Sequence, residues 1–150
     1  AKYGDEMTIL EMDLSKVKGL KGLYIDGCIA VEKALTDKEK GCILAEEVGH
    51  HLTSVGNILD QRSTVNRKQE RKARAAGYDI KIGLSGLIGA YETGCRNRYE
   101  VAEYLDVAEE YLDDALQYYR EKYGVFAKLN DYIIYFEPSL GIMKFLQKGD

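Results

Sequence analysis

The strongest local signal in this sequence is a helix start at Thr36. Thr36 and Glu39 form a capping box, in which each side chain accepts a hydrogen bond from the backbone N–H of the other residue. Apolar residues then recur every four positions, and we predict that this row faces the core: Leu44, Val48 and Leu52. The capping box and the apolar row together predict a helix over about 37–54.

A β-hairpin is predicted directly before this helix. Asp26-Gly27 separates two short β-prone runs within residues 20–31. This dipeptide favours a type I′ turn because both positions tolerate positive φ. A hairpin beside a long helix indicates an α+β fold with a small antiparallel sheet.

The patterning predicts that the rest of the chain is mainly helical. A short helix is expected around residues 9–14, and further helices at about 65–79, 84–93, 97–104 and 107–123. The 150 residues fit one domain, 1–150. Within it, residues 1–83 hold the sheet and the first helices, 84–124 form a helical subdomain, and 125–150 form a C-terminal extension.

The composition restricts the partners and the compartment. The net charge is −4, which disfavours a general nucleic-acid binder because phosphate contacts need a surplus of Lys and Arg. No apolar run approaches the roughly 20 residues needed to cross a bilayer, and no signal-peptide pattern is present. The three cysteines have no CxxC spacing and do not indicate a disulfide framework. We therefore expect a cytoplasmic protein that does not contact a membrane.

The second half of the predicted 37–54 helix carries a candidate metal site. Glu46 and His50 are four residues apart, so their side chains lie on the same face and can share one metal ion. Glu47 takes the place of the glutamate in the zincin motif His-Glu-x-x-His, where that carboxylate activates the zinc-bound water. Gly49 lowers helix propensity by roughly 1 kcal/mol relative to Ala, which indicates that another segment approaches the backbone here.

The motif departs from the zincin pattern because Glu46 stands where the first histidine belongs. A carboxylate oxygen binds Zn²⁺ at about the same distance as an imidazole nitrogen, but its negative charge makes the metal a weaker Lewis acid. Three interpretations remain open at this point. The cluster is a metal site on Glu46 and His50, a site shifted by one residue onto Glu47 and His51, or an exposed polar face with helical salt links.

A zinc site needs a third protein ligand, and Glu70 on the predicted 65–79 helix is the candidate. A carboxylate from a following antiparallel helix is the gluzincin arrangement. The alternative for Glu70 is a salt link to Arg74 on a basic surface helix, since the two residues are four positions apart.

A third histidine and Cys42 are the other two options for the remaining metal ligand. A metzincin site is excluded because the position six residues after His50 is Gly56 rather than a third histidine. Cys42 lies one turn before Glu46 and is either a thiolate ligand or a buried apolar cysteine, and free cysteines are among the most buried residues.

Residues 99–119 resemble a helix-turn-helix in their spacing. The second helix of such a motif should present Arg, Lys, Asn or Gln to DNA. This one begins with acidic residues that would repel the phosphate backbone: Glu109, Glu110, Asp113 and Asp114. We therefore expect no direct nucleic-acid contact, and a structural or protein-binding role for the segment.

Five segments resemble, in order and spacing, the ImmA/IrrE-type metallopeptidases, in particular the short versions found in phages and mobile elements. They are residues 19–27, 35–40, 42–51, 66–70 with Ala73, and 94–105. The resemblance covers about residues 8–124. It departs from the family at 75–77, where members usually carry a bulky aromatic residue, and at 80–83, where a leucine-proline is typical.

The resemblance implies a zincin-like fold, with a three-stranded sheet beside the metal-bearing helix, and a zinc-dependent endopeptidase activity. By position, Glu46, His50 and Glu70 would hold Zn²⁺ and Glu47 would be the general base. The implied substrate is a helix-turn-helix repressor of the phage or mobile element, which is cleaved or otherwise inactivated. The rival interpretation is a non-catalytic anti-repressor, a protein-binding module with a degenerate or structural metal site.

Overall fold

The computed structural model describes residues 8–25, 27–53 and 64–145. The chain divides into two compact units, Ala1–Ile80 and Lys81–Asp150. Their boundary lies close to residue 83, where the sequence predicts the end of the part that holds the sheet and the first helices. Among the described residues, none of the helices is long and apolar enough to cross a bilayer.

The first unit contains a three-stranded sheet. Its strands are β1 (Thr8–Met12), β2 (Gly22–Ile25) and β3 (Cys28–Glu32), in the order β1-β3-β2. β2 and β3 pair in antiparallel fashion and form the predicted hairpin, and Gly27 has a positive φ of 79°. Asp26, the other predicted turn residue, lies outside the described residues.

Two predictions about this sheet are wrong. Residues 9–14 are predicted to form a short helix, but β1 occupies this part of the chain and pairs in parallel with β3. The sheet is therefore mixed rather than antiparallel throughout. The physical reason is that β1 obtains its ladder hydrogen bonds from β3, which lies about 20 residues later in the chain, and no local pattern in the sequence records such a pairing.

The helix α1 (Asp37–Thr53) begins as the capping box predicts. The backbone N–H of Glu39 donates to Thr36 Oγ1 at 3.2 Å, and that of Thr36 donates to Glu39 Oε1 at 3.0 Å. Val48 packs with Ile29 and Val31 in a buried core between the helix and the sheet. Further side chains pack around this core: Tyr24, Leu35, Ile43 and Leu44.

The prediction that Leu52 faces the core is wrong, since Leu52 is 50% exposed. Four residues turn an α-helix by about 400°, so a row at strict four-residue spacing drifts by roughly 40° at each step. Leu44 and Val48 still face the sheet, but Leu52 has rotated towards solvent. α1 therefore packs against the sheet through Leu44 and Val48 and not through Leu52.

The other helices begin and end within two residues of the predicted bounds. They are α2 (Thr64–Lys81), α3 (Gly83–Thr93), α4 (Arg98–Leu105) and α5 (Glu109–Tyr123). The N-cap of α4 is Asn97, which accepts a hydrogen bond from the backbone N–H of Glu100 at 2.9 Å. The acidic start of α5 is paired within the second unit, because Arg98 lies 3.1 Å from Glu109 and 3.0 Å from Asp113.

The second unit ends in a sheet, so the prediction of a helical C-terminal half is wrong for its last part. The strands β4 (Phe126–Leu129), β5 (Tyr132–Tyr135) and β6 (Gly141–Lys144) form an antiparallel sheet in that order. Their inner side chains join those of the helices in the core of this unit: Leu87, Leu112, Tyr119, Ile134 and Phe136. Strands of four residues are too short to produce a recognisable period-two pattern, so the sequence does not predict them.

Candidate metal centre

A cleft in the first unit lies between β2 and the two helices α1 and α2. It has a volume of about 390 Å³. One wall is the segment 19–24, which includes the start of β2. The opposite wall carries side chains of α1 and α2: Ile43, Glu46, Glu47, His50 and Glu70. The cleft therefore contains all four residues that the sequence assigns to metal binding and catalysis.

The structure brings the three predicted metal ligands together. One ligand atom from each of Glu46, His50 and Glu70 lies within 4.8 Å of the other two. Nε2 of His50 is 3.2 Å from Oε2 of Glu70. Glu46 and His50 come from successive turns of α1, and Glu70 reaches them from α2, as the sequence predicts.

Two glycines allow α1 and α2 to approach closely enough for this. A Cβ atom at Gly49 would overlap the backbone carbonyl oxygen of Ala73. A Cβ atom at Gly77 would lie 3.1 Å from Cα of Glu46. The prediction that another segment approaches the backbone at Gly49 is confirmed, and the segment is the α2 backbone one turn after Glu70.

Glu47 lies beside the triad in the wall of the cleft. Its Oε1 is 3.6 Å from Nε2 of His50, and the residue is 7% exposed. Burial raises the pKa of Glu47 to about 7, with the charges of Glu46 and Glu70 acting in the same direction and that of His50 acting against it. A carboxyl group that titrates near neutrality in a cleft is suited to accept and return a proton.

The triad itself has the electrostatics of a cation site. Burial raises the pKa of Glu46, a hydrogen bond with Glu70 raises it further, and the charge of Arg74 opposes both effects. Burial alone would lower the pKa of His50, but its hydrogen bond to Glu70 and the surrounding carboxylates raise it above the usual value. These carboxyl groups are crowded, and a divalent cation would relieve their mutual repulsion.

His51 has a different environment from His50. Its Nδ1 lies 3.0 Å from the hydroxyl oxygen of Tyr24, and the two rings meet edge to face with centroids 5.6 Å apart. The group of candidate metal ligands among the described residues does not include His51 or Cys42. The register with Glu46 and His50 on the metal is therefore the one that the geometry favours over a pair of Glu47 and His51.

The donor set fits Zn²⁺. Zinc accepts imidazole nitrogen and carboxylate oxygen, and catalytic zinc sites hold three protein ligands with one position open. His50 directs Nε2 into the carboxylate cluster, while its buried Nδ1 has no hydrogen-bond partner within the described part of the chain. A polar atom buried in this way is unusual.

Sequence reasoning did not identify two residues that shape the cleft. Gly22 allows β2 to lie against α1, because a Cβ atom there would be 2.5 Å from Cγ2 of Ile43 and 3.3 Å from Cγ of Glu47. Tyr24 fixes His51. A glycine inside a β-prone run marks a close backbone approach, so Gly22 was available as a signal. Tyr24 carries no comparable signal in the sequence.

The chain matches no protein-family model, no curated protein and no solved structure. The geometry of the cleft and the residue pattern of α1 and α2 are the features that point to a function.

Proposed function

We propose that this protein is a zinc-dependent endopeptidase that acts in the cytoplasm. The observation that carries the proposal is the convergence of Glu46, His50 and Glu70 within 4.8 Å of one another in an open cleft, with Glu47 alongside. Three carboxylates surround one histidine in this partly buried site, and a divalent cation would offset their mutual repulsion, which the single charge of Arg74 offsets only in part.

The residues of the cleft would have two roles in peptide hydrolysis, metal binding and proton transfer. Zn²⁺ held by Glu46, His50 and Glu70 would supply Lewis acidity and make a water molecule more acidic. Glu47 accepts the proton of the attacking water on its carboxylate and later returns it to the leaving amine. Its position one residue after Glu46 places it about 100° around the helix, beside the ligands and not among them.

The edge of the first sheet offers a place for an extended substrate. β2 is an edge strand of the β1-β3-β2 sheet, and its residues form one wall of the cleft. An unfolded or extended segment can add to such an edge through main-chain hydrogen bonds. We propose that the substrate is a protein, and that it is a helix-turn-helix repressor of a phage or mobile element, as the resemblance in sequence implies.

The test uses purified protein and a helix-turn-helix repressor of the phage or mobile element that encodes it. We expect close to one zinc per chain by metal analysis, and cleavage of the repressor that stops when a chelator is added. Glu47→Gln should retain zinc and bind the repressor but cleave it about 10²–10⁴-fold more slowly.

The controls separate the proposal from the rival anti-repressor. If the parent chain binds the repressor tightly but leaves it intact, the protein acts as a binding module and the endopeptidase proposal is wrong. If Glu47→Gln cleaves as fast as the parent, the proton transfer does not pass through Glu47. If Glu47→Gln loses zinc, Glu47 is a ligand and the register is shifted by one residue.

A further inference from the structure

Helix α2 places a guanidinium group beside two of the candidate metal ligands. Arg74 lies one turn after Glu70, and its Nη2 is 3.8 Å from Glu70 Oε1 and 4.0 Å from Glu46 Oε1. The side chains of the two glutamates are only 18% and 27% exposed, respectively, whereas that of Arg74 is 49% exposed. Arg74 therefore lies on the outer side of the site, and the two carboxylates lie between its guanidinium group and the cleft.

The charges of the metal ligands give a reason for an arginine beside Glu46 and Glu70. A zinc site of two neutral histidines and one carboxylate has a ligand charge of −1. In this chain the first histidine is replaced by Glu46, so the ligands Glu46, His50 and Glu70 together carry −2. The charge of Arg74 brings the sum for the four side chains back to −1.

We propose that Arg74 is the charge counterpart of Glu46 and keeps the metal centre at the net charge of a two-histidine, one-carboxylate zinc site. This inference rests on the proposed function. Arg74 is a positioning residue in the electrostatic sense, because it acts on the metal through the ligand carboxylates and does not touch the reacting atoms.

The distances indicate that Arg74 acts through its charge. Both exceed the 2.7–3.2 Å of a normal N–H···O hydrogen bond, so the guanidinium does not fix the orientation of either carboxylate by a close bond. Coulomb interactions fall off only as the inverse of distance and remain substantial over one or two further ångströms. Arginine is also the cation that stays protonated at any working pH.

Charge compensation and ligand orientation predict opposite effects on zinc affinity. If Arg74 held the ligands in place, its removal would weaken zinc binding. If Arg74 compensates charge, its removal leaves a more negative site that attracts a divalent cation more strongly. The same removal should reduce catalysis, because a metal surrounded by more negative charge is a weaker Lewis acid.

The first experiment measures zinc affinity by competition with a chromophoric chelator at pH 8. Arg74→Gln should bind zinc roughly tenfold more tightly than the parent chain. Arg74→Lys retains the charge without the planar fork and should bind within about threefold of the parent. Arg71→Gln removes an exposed positive charge from the same helix and is the matched control, with an expected change of less than about twofold.

The second experiment measures repressor cleavage with saturating zinc. Arg74→Gln should lower kcat about tenfold. The double variant Glu46→His with Arg74→Gln has two histidines, one carboxylate and no arginine, so its net charge is again −1. It should recover kcat to within about threefold of the parent, a rescue that a merely structural role for Arg74 does not produce.

The outcomes that overturn the inference are distinct from those that overturn the proposed function. Weaker zinc binding by Arg74→Gln, or the same binding as Arg71→Gln, shows that Arg74 does not compensate charge. A double variant that is no better than Arg74→Gln alone leads to the same conclusion. A parent chain that takes up no zinc overturns the metal centre, and this inference with it.

Discussion

At the scale of single residues, the two adjacent histidines of α1 have separate roles. His50 is 4% exposed and directs Nε2 towards Glu70 at 3.2 Å. His51 points away from the carboxylate cluster and pairs with Tyr24 at 3.0 Å. Neighbouring positions on a helix differ by about 100°, so only one of two adjacent histidines can face the ligands on the same side.

The two histidines should therefore respond differently to substitution. His50→Ala removes the only nitrogen donor of the triad, and we expect zinc binding to fall by at least about 100-fold. His51→Ala should retain zinc. Its free energy of unfolding should fall by roughly 1 kcal/mol because the hydrogen bond to Tyr24 is lost. Zinc content after dialysis and urea unfolding measure the two effects. Loss of zinc from His51→Ala, with retention in His50→Ala, would reverse the assignment.

Glu47 gives a second prediction, on the stability of the metal-free protein. Its pKa is raised from 4.5 to about 7, so the folded chain holds this proton more tightly than the unfolded chain does. The stabilisation from the bound proton is fully present below pH 4.5 and is lost as the pH rises through about 7. Glu47→Gln cannot ionise and should be more stable than the parent at pH 8 by roughly 2–3 kcal/mol.

The measurement is urea unfolding with a chelator present at pH 5 and pH 8. The advantage of Glu47→Gln should shrink to less than about 1 kcal/mol at pH 5, where the buried carboxyl group is mostly protonated in the folded parent. Glu110→Gln, an exposed position at the start of α5, is the control and should change stability by less than about 0.5 kcal/mol at either pH. An advantage that does not depend on pH would contradict the prediction.

At the scale of elements, the site depends on the close contact of α1 with α2. Three of the four functional side chains are on α1, and Glu70 is the one contribution of α2. Glycine at positions 49 and 77 removes the side chains that would hold the helices apart. Gly77 packs on the α1 backbone at Glu46 and leaves no space for a larger side chain.

We expect Gly49→Ala to damage both stability and zinc binding. Alanine would gain about 1 kcal/mol in helix propensity, but its Cβ meets the backbone of Ala73, which cannot move without displacing α2. The net loss should be roughly 1–3 kcal/mol, and zinc affinity should fall because Glu70 moves with α2. Urea unfolding and chelator competition measure the two quantities.

Gly86→Ala provides a matched control for this substitution. Gly86 also lies within a helix, but its added Cβ would meet only the end of the flexible side chain of Leu105 at 3.2 Å. This variant should be neutral or slightly stabilised, and its zinc affinity should be unchanged. If Gly49→Ala behaves like Gly86→Ala, the close contact between α1 and α2 is not needed for the site.

At the scale of the whole molecule, the metal centre should couple folding to zinc and to pH. The pKa values of Glu46, Glu47 and His50 are all raised in the folded protein. At high pH the two glutamates ionise and His50 becomes neutral, and both changes lower the stability of the metal-free protein. Zinc competes with protons for the same groups and binds better as the pH rises. We therefore expect the stabilisation by zinc to grow between pH 5.5 and pH 8.

Thermal unfolding with zinc or with a chelator measures this coupling. Free zinc at about 1,000-fold above its Kd should stabilise the protein by roughly 4 kcal/mol. His50→Ala is the control and should unfold at the same temperature in both conditions. Equal melting temperatures of the parent chain with and without zinc at pH 8 would show that the cleft does not bind the ion in the folded state.

The features that could be predicted from the sequence are those set by local interactions. The capping box fixes the start of α1 because Thr36 and Glu39 are three residues apart. The turn between β2 and β3 could be predicted because Gly27 tolerates the positive φ that the turn needs. Helical spacing alone put Glu46 and His50 on one face, and it left the pair of Glu47 and His51 open as an alternative. In each case the interacting groups are only a few residues apart, so their spacing in the sequence determines how they lie relative to one another.

The tertiary structure decided the features that depend on distant contacts. The parallel pairing of β1 with β3 and the C-terminal sheet arise from packing that no short window of sequence describes. Arg74 could be paired with Glu70 from their spacing, but its position beside Glu46 results from the approach of α2 to α1. The bounds of the helices follow from interactions between residues close in sequence. The placement of the Arg74 charge beside Glu46 depends instead on the close contact of α1 and α2 at Gly49 and Gly77.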